Sequence, residues 1–185
     1  MVYVSGKQSL NNAEILCYKM DAFEIDKKTH VVIAEGYRGI CYINGQYYDT
    51  FTSKSMDIDK GLIKNHKGDM CIIYSCVDSN KKIQCKYGVG KSGKVLNSYG
   101  DYTVSLLAGD GVRNLINAFN VEINDVDATK IRDRINPIIP EAFSKSEVVD
   151  LQSAKKVLND TLNAKLSEYG LRLEVINIEG FNMED

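Results

Sequence analysis

The sequence predicts an α+β domain, and three observations carry that reading. The first two-thirds of the chain has period-two, β-branched and aromatic character; the last third changes to helical spacing; and the chain closes on LRLEVINIE, a return to strand pattern. A mixed or antiparallel sheet, then three to four helices and a closing C-terminal strand, is the expected architecture. With 185 residues, 44% hydrophobic content and two prolines, the chain can bury one substantial core.

EILCYK, THVVIAE and YRGICYI read as strands, and YINGQYY carries Asn44-Gly45 between apolar runs, a strong hairpin signal because both residues accept positive φ. MCIIYSCV is apolar on both alternating faces, as a central strand buried on both sides would be. A turn at Asp78-Ser79-Asn80 returns the chain through KKIQCKY, and DYTVSLLA (Asp101 to Ala108) supplies a further strand. In DGVRNLINAF, Asp110 is positioned as an N-cap, and Val112, Leu115, Ile116 and Phe119 recur on one face. DATKIRDRINPIIPEAF places Ile131, Ile135, Ile138, Ile139 and Ala142 on a stripe that Pro137 and Pro140 must break into two pieces. Ser153 then opens SAKKVLNDTLNAKLSEY, whose Leu158, Leu162, Leu166 and Tyr169 form a stripe ended by Gly170 in the usual C-terminal glycine position.

Composition excludes several function classes. The formal net charge is −2, which marks neither a general nucleic-acid binder nor an acidic tail, and no nucleic-acid partner is expected. The five cysteines (Cys17, Cys41, Cys71, Cys76, Cys85) lie mostly inside apolar runs without zinc-site spacing, and read as buried free thiols of a reducing compartment. His30 and His66, the only two histidines, stand far apart in different polar segments and leave a triad or a metal site little material. No apolar run approaches the ~18 residues needed to span a bilayer, and no secretory leader pattern opens the chain. A soluble, cytoplasmic protein is expected.

One stretch, KYGVGKSGK (Lys86 to Lys94), invites comparison with a P-loop, the more so because the preceding MCIIYSCVD ends in an Asp. A P-loop needs a strand, then G-x-x-x-x-G-K-[ST], then a helix whose first amides bind phosphate. The first glycine should stand at position 85, which is Cys85; Ser92 leads into Gly93, Gly100 and a strand pattern instead of a helix; and the Asp78 strand precedes the loop, against the usual order. Gly88, Gly90 and Gly93 are better read as turn glycines.

The pattern as a whole resembles the SPFH (band 7, prohibitin/stomatin-like) domain, particularly its soluble bacterial branch labelled virion-core-protein-like. The resemblance runs from about Ala13 to Phe181, so that residues 1–12 form an N-terminal segment, 13–181 the domain and 182–185 a tail. It rests on EILCYKMDAFEIDKKTHVVIAEGYRGICYINGQYYDTF, on the hairpin CIIYSCVDSNKKIQCKYGVG, on GDYTVSLLAGDGVRNLINAF, and most specifically on AKKVLNDTLNAKLSEYGLRLEVINIEGF with its long helix, Tyr-Gly-Leu junction and closing strand. The chain departs from the family where Gly111 replaces an expected proline, where the segment between Tyr87 and Tyr102 is shorter, and in lacking the zinc-ribbon tail of many relatives.

The resemblance implies a non-enzymatic scaffold that packs side by side into homo-oligomers, often at a membrane, with no catalytic residues to carry over. It also implies a coiled coil beyond the closing strand; this sequence stops at Asp185, so a bare domain or a truncated one is expected. No catalytic, cofactor-binding or metal-ligating residue is assigned. Rival readings are a monomeric ligand- or peptide-binding module, a P-loop-like nucleotide enzyme, and a phage or virion structural protein.

Two features are candidate contact sites. Lys81, Lys82, Lys86, Lys91 and Lys94 place five positive charges and no acid between residues 81 and 94, leaving −7 for the rest of a chain of net charge −2. The functional reading is docking on anionic lipid or an acidic protein, each lysine near a lipid surface contributing ~1 kcal/mol; the plainer reading is a hairpin kept soluble by its lysines. The Leu158/Leu162/Leu166/Tyr169 stripe is first a helix face covering the sheet and second a subunit contact. Self-association, weak at this length, is the expected partnership.

Overall fold

A computed structural model of the chain describes residues 2–5, 15–20, 29–32, 37–43, 46–51, 55–57, 70–76, 81–107, 110–119 and 125–184. Strands come first: β1 (Val2–Ser5), β2 (Ile15–Met20), β3 (Thr29–Val32), β4 (Tyr37–Ile43), β5 (Gln46–Phe51), β6 (Ser55–Asp57), β7 (Met70–Cys76), β8 (Ile83–Val89) and β9 (Val95–Leu106). Helix α1 (Gly111–Phe119) comes next, then β10 (Asp125–Asp127), α2 (Ala128–Ile135), α3 (Ile138–Lys145), α4 (Leu151–Glu168) and the closing β11 (Leu171–Met183). The class is α+β.

The strands form three sheets rather than one, ordered β1-β3-β6, β10-β2-β7-β4-β5 and β11-β9-β8. Among the described residues only β1 and β3 pair in parallel, and every other pairing is antiparallel. MCIIYSC (β7) takes the middle of the five-stranded sheet, as its unbroken apolar run requires. β4 and β5 pair from Ile43 opposite Gln46, the register of a two-residue hairpin; its Asn44-Gly45 turn and the Asp78–Asn80 turn lie outside the described residues. Residues 1–12, read as an N-terminal segment, contain β1, and the short β1, β6 and β10 are pairings too brief to leave a period-two signal.

Strand β9 has 12 residues, beginning at Val95 rather than Asp101. Gly93, at φ +60°, reverses the chain within two residues, with Ser92 N–H donating to Val95 O at 2.8 Å and Val95 N–H to Ser92 O at 3.1 Å. Gly93 is thus a turn glycine, whereas Gly88 lies inside β8. Strand β11 runs on through Asn182 and Met183, read as tail, and Glu184 N–H donates to Lys94 O at 2.8 Å.

The helices bury the faces their spacing predicts, except in α3, where Phe143 joins Ile139 while Ile138 and Ala142 are only partly buried. Val112, Leu115, Ile116 and Phe119 of α1, Ile131 and Ile135 of α2, Ile139 and Phe143 of α3, and Leu158, Leu162 and Leu166 of α4 join one apolar core with Ile83, Cys85, Tyr102 and Val104 of the three-stranded sheet and Leu16 and Ile40 of the five-stranded one. The stripe in the proline-rich segment divides at Pro137, which has no N–H to continue α2, while Pro140 is tolerated in the first turn of α3. Ser153 does not open the last helix. Asp150 does, its carboxylate accepting from Ser153 N–H at 2.7 Å while Ser153 Oγ accepts from Asp150 N–H at 3.0 Å, a reciprocal capping box that places the start at Leu151.

Two glycines join the ends of these elements. Gly170, at φ +70°, ends α4 in the left-handed conformation that costs glycine nothing, and its carbonyl accepts Leu107 N–H at 2.9 Å. Gly111, the residue standing where the resemblance expects proline, begins α1 directly against it: a side chain there would meet Leu107 Cβ at 2.8 Å and the Gly170 carbonyl at 3.0 Å. A Cβ on Gly170 would in turn strike the Gly111 carbonyl oxygen. Gly170→Ala therefore combines positive-φ strain with overpacking, each on the order of 1–3 kcal/mol. Urea melts should show that loss, while Gly88→Ala, with open space around the added carbon, stays within about 0.5 kcal/mol of wild type; equal effects would contradict the close contact.

Candidate functional site

The lysine-bearing strand shows how the sequence builds a site. In β8, Ile83, Cys85 and Tyr87 point into the core while Gln84 and Lys86 point out, so alternation sends cationic and apolar side chains to opposite faces. β8 borders its sheet, and α2 packs beside it. Helix α2 is started by Asp127, whose Oδ1 accepts Lys130 N–H at 2.9 Å, and is anchored by Ile131 and Ile135. At its end the Asn136 amide bridges two elements: Nδ2 donates to Lys86 O at 2.9 Å, and Oδ1 accepts from the buried Tyr102 hydroxyl at 2.8 Å.

Between β8 and the first turn of α2 lies a cleft of about 390 Å³. Its charged lining is Lys82, Lys86 and Arg132, with Gln84 and Thr129 as neutral polar groups and no carboxylate. Arg132 is a residue that sequence reasoning did not single out. Its terminal nitrogen reaches Thr129 Oγ1 at 3.4 Å, a long contact, and its Nε is buried without a hydrogen-bond partner. Lys82 Nζ stands 3.7 Å from Glu174 Oε2, a partly exposed pair of small energetic weight.

Behind the cleft sit Cys85 and Tyr102, both buried. The Cys85 thiol faces Ala128 O at 3.9 Å, and burial pushes its pKa up to about 12 against the opposing pull of Arg132. Burial likewise raises Tyr102, with Cys85 adding to the shift. Both groups are neutral at ordinary pH, so the thiol has the character of a packing residue and not of a nucleophile. Cys17 is buried as well. Among the described residues no group of three His, Cys, Asp or Glu side chains is placed to hold a metal ion, and no described helix is long and apolar enough to cross a membrane.

Tertiary structure divides the five lysines. Lys82 and Lys86 meet in the cleft; Lys81 stands half-buried just before β8; Lys91 pairs with Glu184; and Lys94 lines a second hollow of about 300 Å³ that also holds Glu147 and Glu184. The continuous basic hairpin read from sequence is therefore cationic near its base and offset by carboxylates near its tip. In the α4 stripe Leu158, Leu162 and Leu166 are wholly buried and cover the sheet, while the partly exposed Tyr169 packs its ring against Phe119 at a centroid distance of 5.5 Å. KYGVGKSGK forms the end of β8 and the hairpin into β9, and the amides of Ser92 and Val95 are spent on the turn.

On the outer face of the three-stranded sheet, Glu174 accepts from Ser105 Oγ at 2.6 Å and from Arg172 Nε at 3.0 Å. Those two hydrogen bonds, in that order of importance, with Arg172 and Lys82 adding their charges, hold its carboxyl down to about 2.

No protein-family model matches the chain, and no curated protein matches it.

This geometry has two measurable outcomes. Thermal melts with millimolar ATP or GTP and magnesium should show no stabilisation that Lys91→Ala removes, although a ligand at a hundredfold excess over its Kd adds about 2.7 kcal/mol; a Lys91-dependent rise in Tm would restore the P-loop. The depressed Glu174 contributes stability that is present above its unfolded pKa and lost as pH falls toward about 2. The Tm difference between wild type and Glu174→Gln should therefore be largest above about pH 5 and shrink toward about pH 2. A difference independent of pH would contradict this.

Proposed function

We propose that this chain is a non-enzymatic scaffold domain of the SPFH type that associates with copies of itself along the edge of β11. The observation that carries the proposal is that edge. β11 has 13 residues, borders its sheet, contains no proline, and pairs among the described residues only with β9. Such a strand presents a row of backbone donors and acceptors that a neighbouring copy can pair with. Val175, 55% exposed, adds apolar surface to the same strand. EILCYK, by contrast, is not available for this role, because β2 lies between β10 and β7.

The order of elements supports the family reading. Strands precede helices, a long helix ends at Tyr169-Gly170, and Leu171 starts a strand that returns antiparallel beside β9. Gly111, a departure from the family pattern, has a local packing reason in its contact with Gly170.

The same strand carries features that keep pairing weak. Its register shifts between Leu173 and Val175, between Ile178 and Gly180, and between Asn182 and Met183, and it bears Arg172, Glu174 and Glu179. Bulges and charges are the devices by which edge strands limit association. The interface expected from one bulged strand is well below the roughly 1,600 Å² of a standard stable complex. Docking on an anionic surface belongs to the same proposal, through Lys82 and Lys86 rather than the whole lysine run.

Light-scattering mass over a concentration series tests the assembly. The expected result is monomer at micromolar concentration, a mass that grows toward the millimolar range, and suppression of that growth by Val175→Lys. A monomer at every concentration would favour the rival reading as a monomeric ligand-binding module, for which the β8–α2 cleft speaks.

A further inference from the structure

We propose that the cleft between β8 and α2 is a phosphate site, taking a ligand with a terminal phosphomonoester held by Arg132 with Lys82 and Lys86 beside it. The volume, about 390 Å³, lies in the range of small-molecule sites. The charge is one-sided: three cations line the cleft without a lining carboxylate. Asp127, the nearest acid at the start of α2, turns its Oδ1 to Lys130 N–H and is engaged in capping the helix. Of the three cations, Lys82 stands 3.7 Å from Glu174, whose own hydrogen bonds go to Ser105 and Arg172.

The Arg132 guanidinium gives the site its specificity: it lines the cleft, and among the described residues its terminal nitrogen is held only by the long 3.4 Å contact to Thr129 Oγ1, which a phosphate oxygen can replace. Guanidinium offers a planar fork that fits two oxygens of one phosphate, and the two ammonium groups add point charges. A carboxylate brings one negative charge to three cations, whereas a phosphomonoester brings about −1.5 to −2 near neutral pH. The match favours phosphate.

A peptide strand added to the edge of β8 is the competing occupant, and the geometry closes that route. Lys86 O, which faces away from β9, is already taken by Asn136 Nδ2, and α2 packs alongside. By the alternation of an antiparallel ladder, Gln84 and Gly88 are the residues of β8 whose backbones face the same way, one on each side of the occupied Lys86. An edge interrupted at its middle offers no continuous run for strand addition, but the groups of Gln84 can serve a small ligand.

The experiment uses the whole chain labelled with nitrogen-15 and titrated with glycerol 3-phosphate, with glycerol as control. Saturable shifts are expected at the Arg132 Nε–H and at the amides of Gln84, Lys86 and Thr129. Arg132→Gln should weaken binding at least tenfold. Lys82→Gln with Lys86→Gln, two exposed positions that leave the core intact, should do the same even if the arginine variant folds poorly, and Lys94→Gln should change nothing. A parallel arm measures sedimentation with phosphatidylcholine vesicles containing phosphatidic acid. Cleft-dependent binding to the vesicles but not to glycerol 3-phosphate assigns the phosphate to a lipid headgroup; the reverse assigns it to a soluble ligand. No binding in either arm, or binding that survives both sets of cleft variants, overturns the proposal. A monomeric mass at all concentrations would leave it untouched, since the cleft lies within one chain.

Discussion

The contact between Gly111 and Gly170 is the constraint on which the arrangement of the C-terminal half depends. Four elements end or begin there. β9 delivers Leu107, whose N–H donates to Gly170 O; α1 starts at Gly111; α4 stops at Gly170 in a left-handed turn; and β11 departs at Leu171 to pair with Leu106. Backbones can approach this closely only where neither residue carries a Cβ, and only glycine takes the α4 terminus at φ +70° without strain. Because β11 must start beside the end of β9, its antiparallel pairing opens at this corner with Leu171 opposite Leu106. α4 is thereby laid over the sheet with Leu158, Leu162 and Leu166 facing it.

The corner fixes the sheet; a second feature, the break at Pro137, fixes the cleft beside it. Proline cannot extend the α2 hydrogen-bond ladder, so the helix ends at Ile135 and Asn136 becomes its C-cap. Its side chain is then placed to bridge the buried Tyr102 hydroxyl and the Lys86 carbonyl. The bridge ties the core to the sheet border and holds α2 against β8. Arg132, one turn earlier, is carried into the cleft by the same placement. Its neighbours Ile131 and Ile135 are buried, which leaves the guanidinium partly enclosed with its Nε unpaired.

Legibility in the sequence tracks the range of the interaction concerned. The strand runs, the amphipathic faces of α1 and α4, the division at Pro137 and the glycine stop at Gly170 all depend on residues within a few positions of one another, and each is found where its pattern indicated. The start of α4 was harder, because Ser153 and Asp150 are both good capping residues and only their reciprocal geometry shows which is the cap. The extra half of β9 was missed because Gly100 interrupts the apolar alternation. In the structure that glycine marks a close approach, since a Cβ there would collide with the Asn177 carbonyl of β11. The cleft was legible only in part: Lys82 and Lys86 were visible as charges, but Arg132 lies 46 positions beyond Lys86 and carries no local mark of a shared site.

By itself the sequence determined the α+β class, the order of strands before helices, most of the buried faces of the helices and the departure of KYGVGKSGK from the phosphate-loop pattern. These depend on backbone preferences and on the period of apolar residues, which are properties of short segments. Only the tertiary structure decided that the strands divide among three sheets, that β11 rather than β2 lies at a border, and that five lysines adjacent in sequence separate into a cationic cleft and a tip offset by Glu147 and Glu184. The reason is physical. Charge and hydrogen-bond partners act through space over a few ångströms, and which residues come within that distance is set by packing between segments remote in the chain.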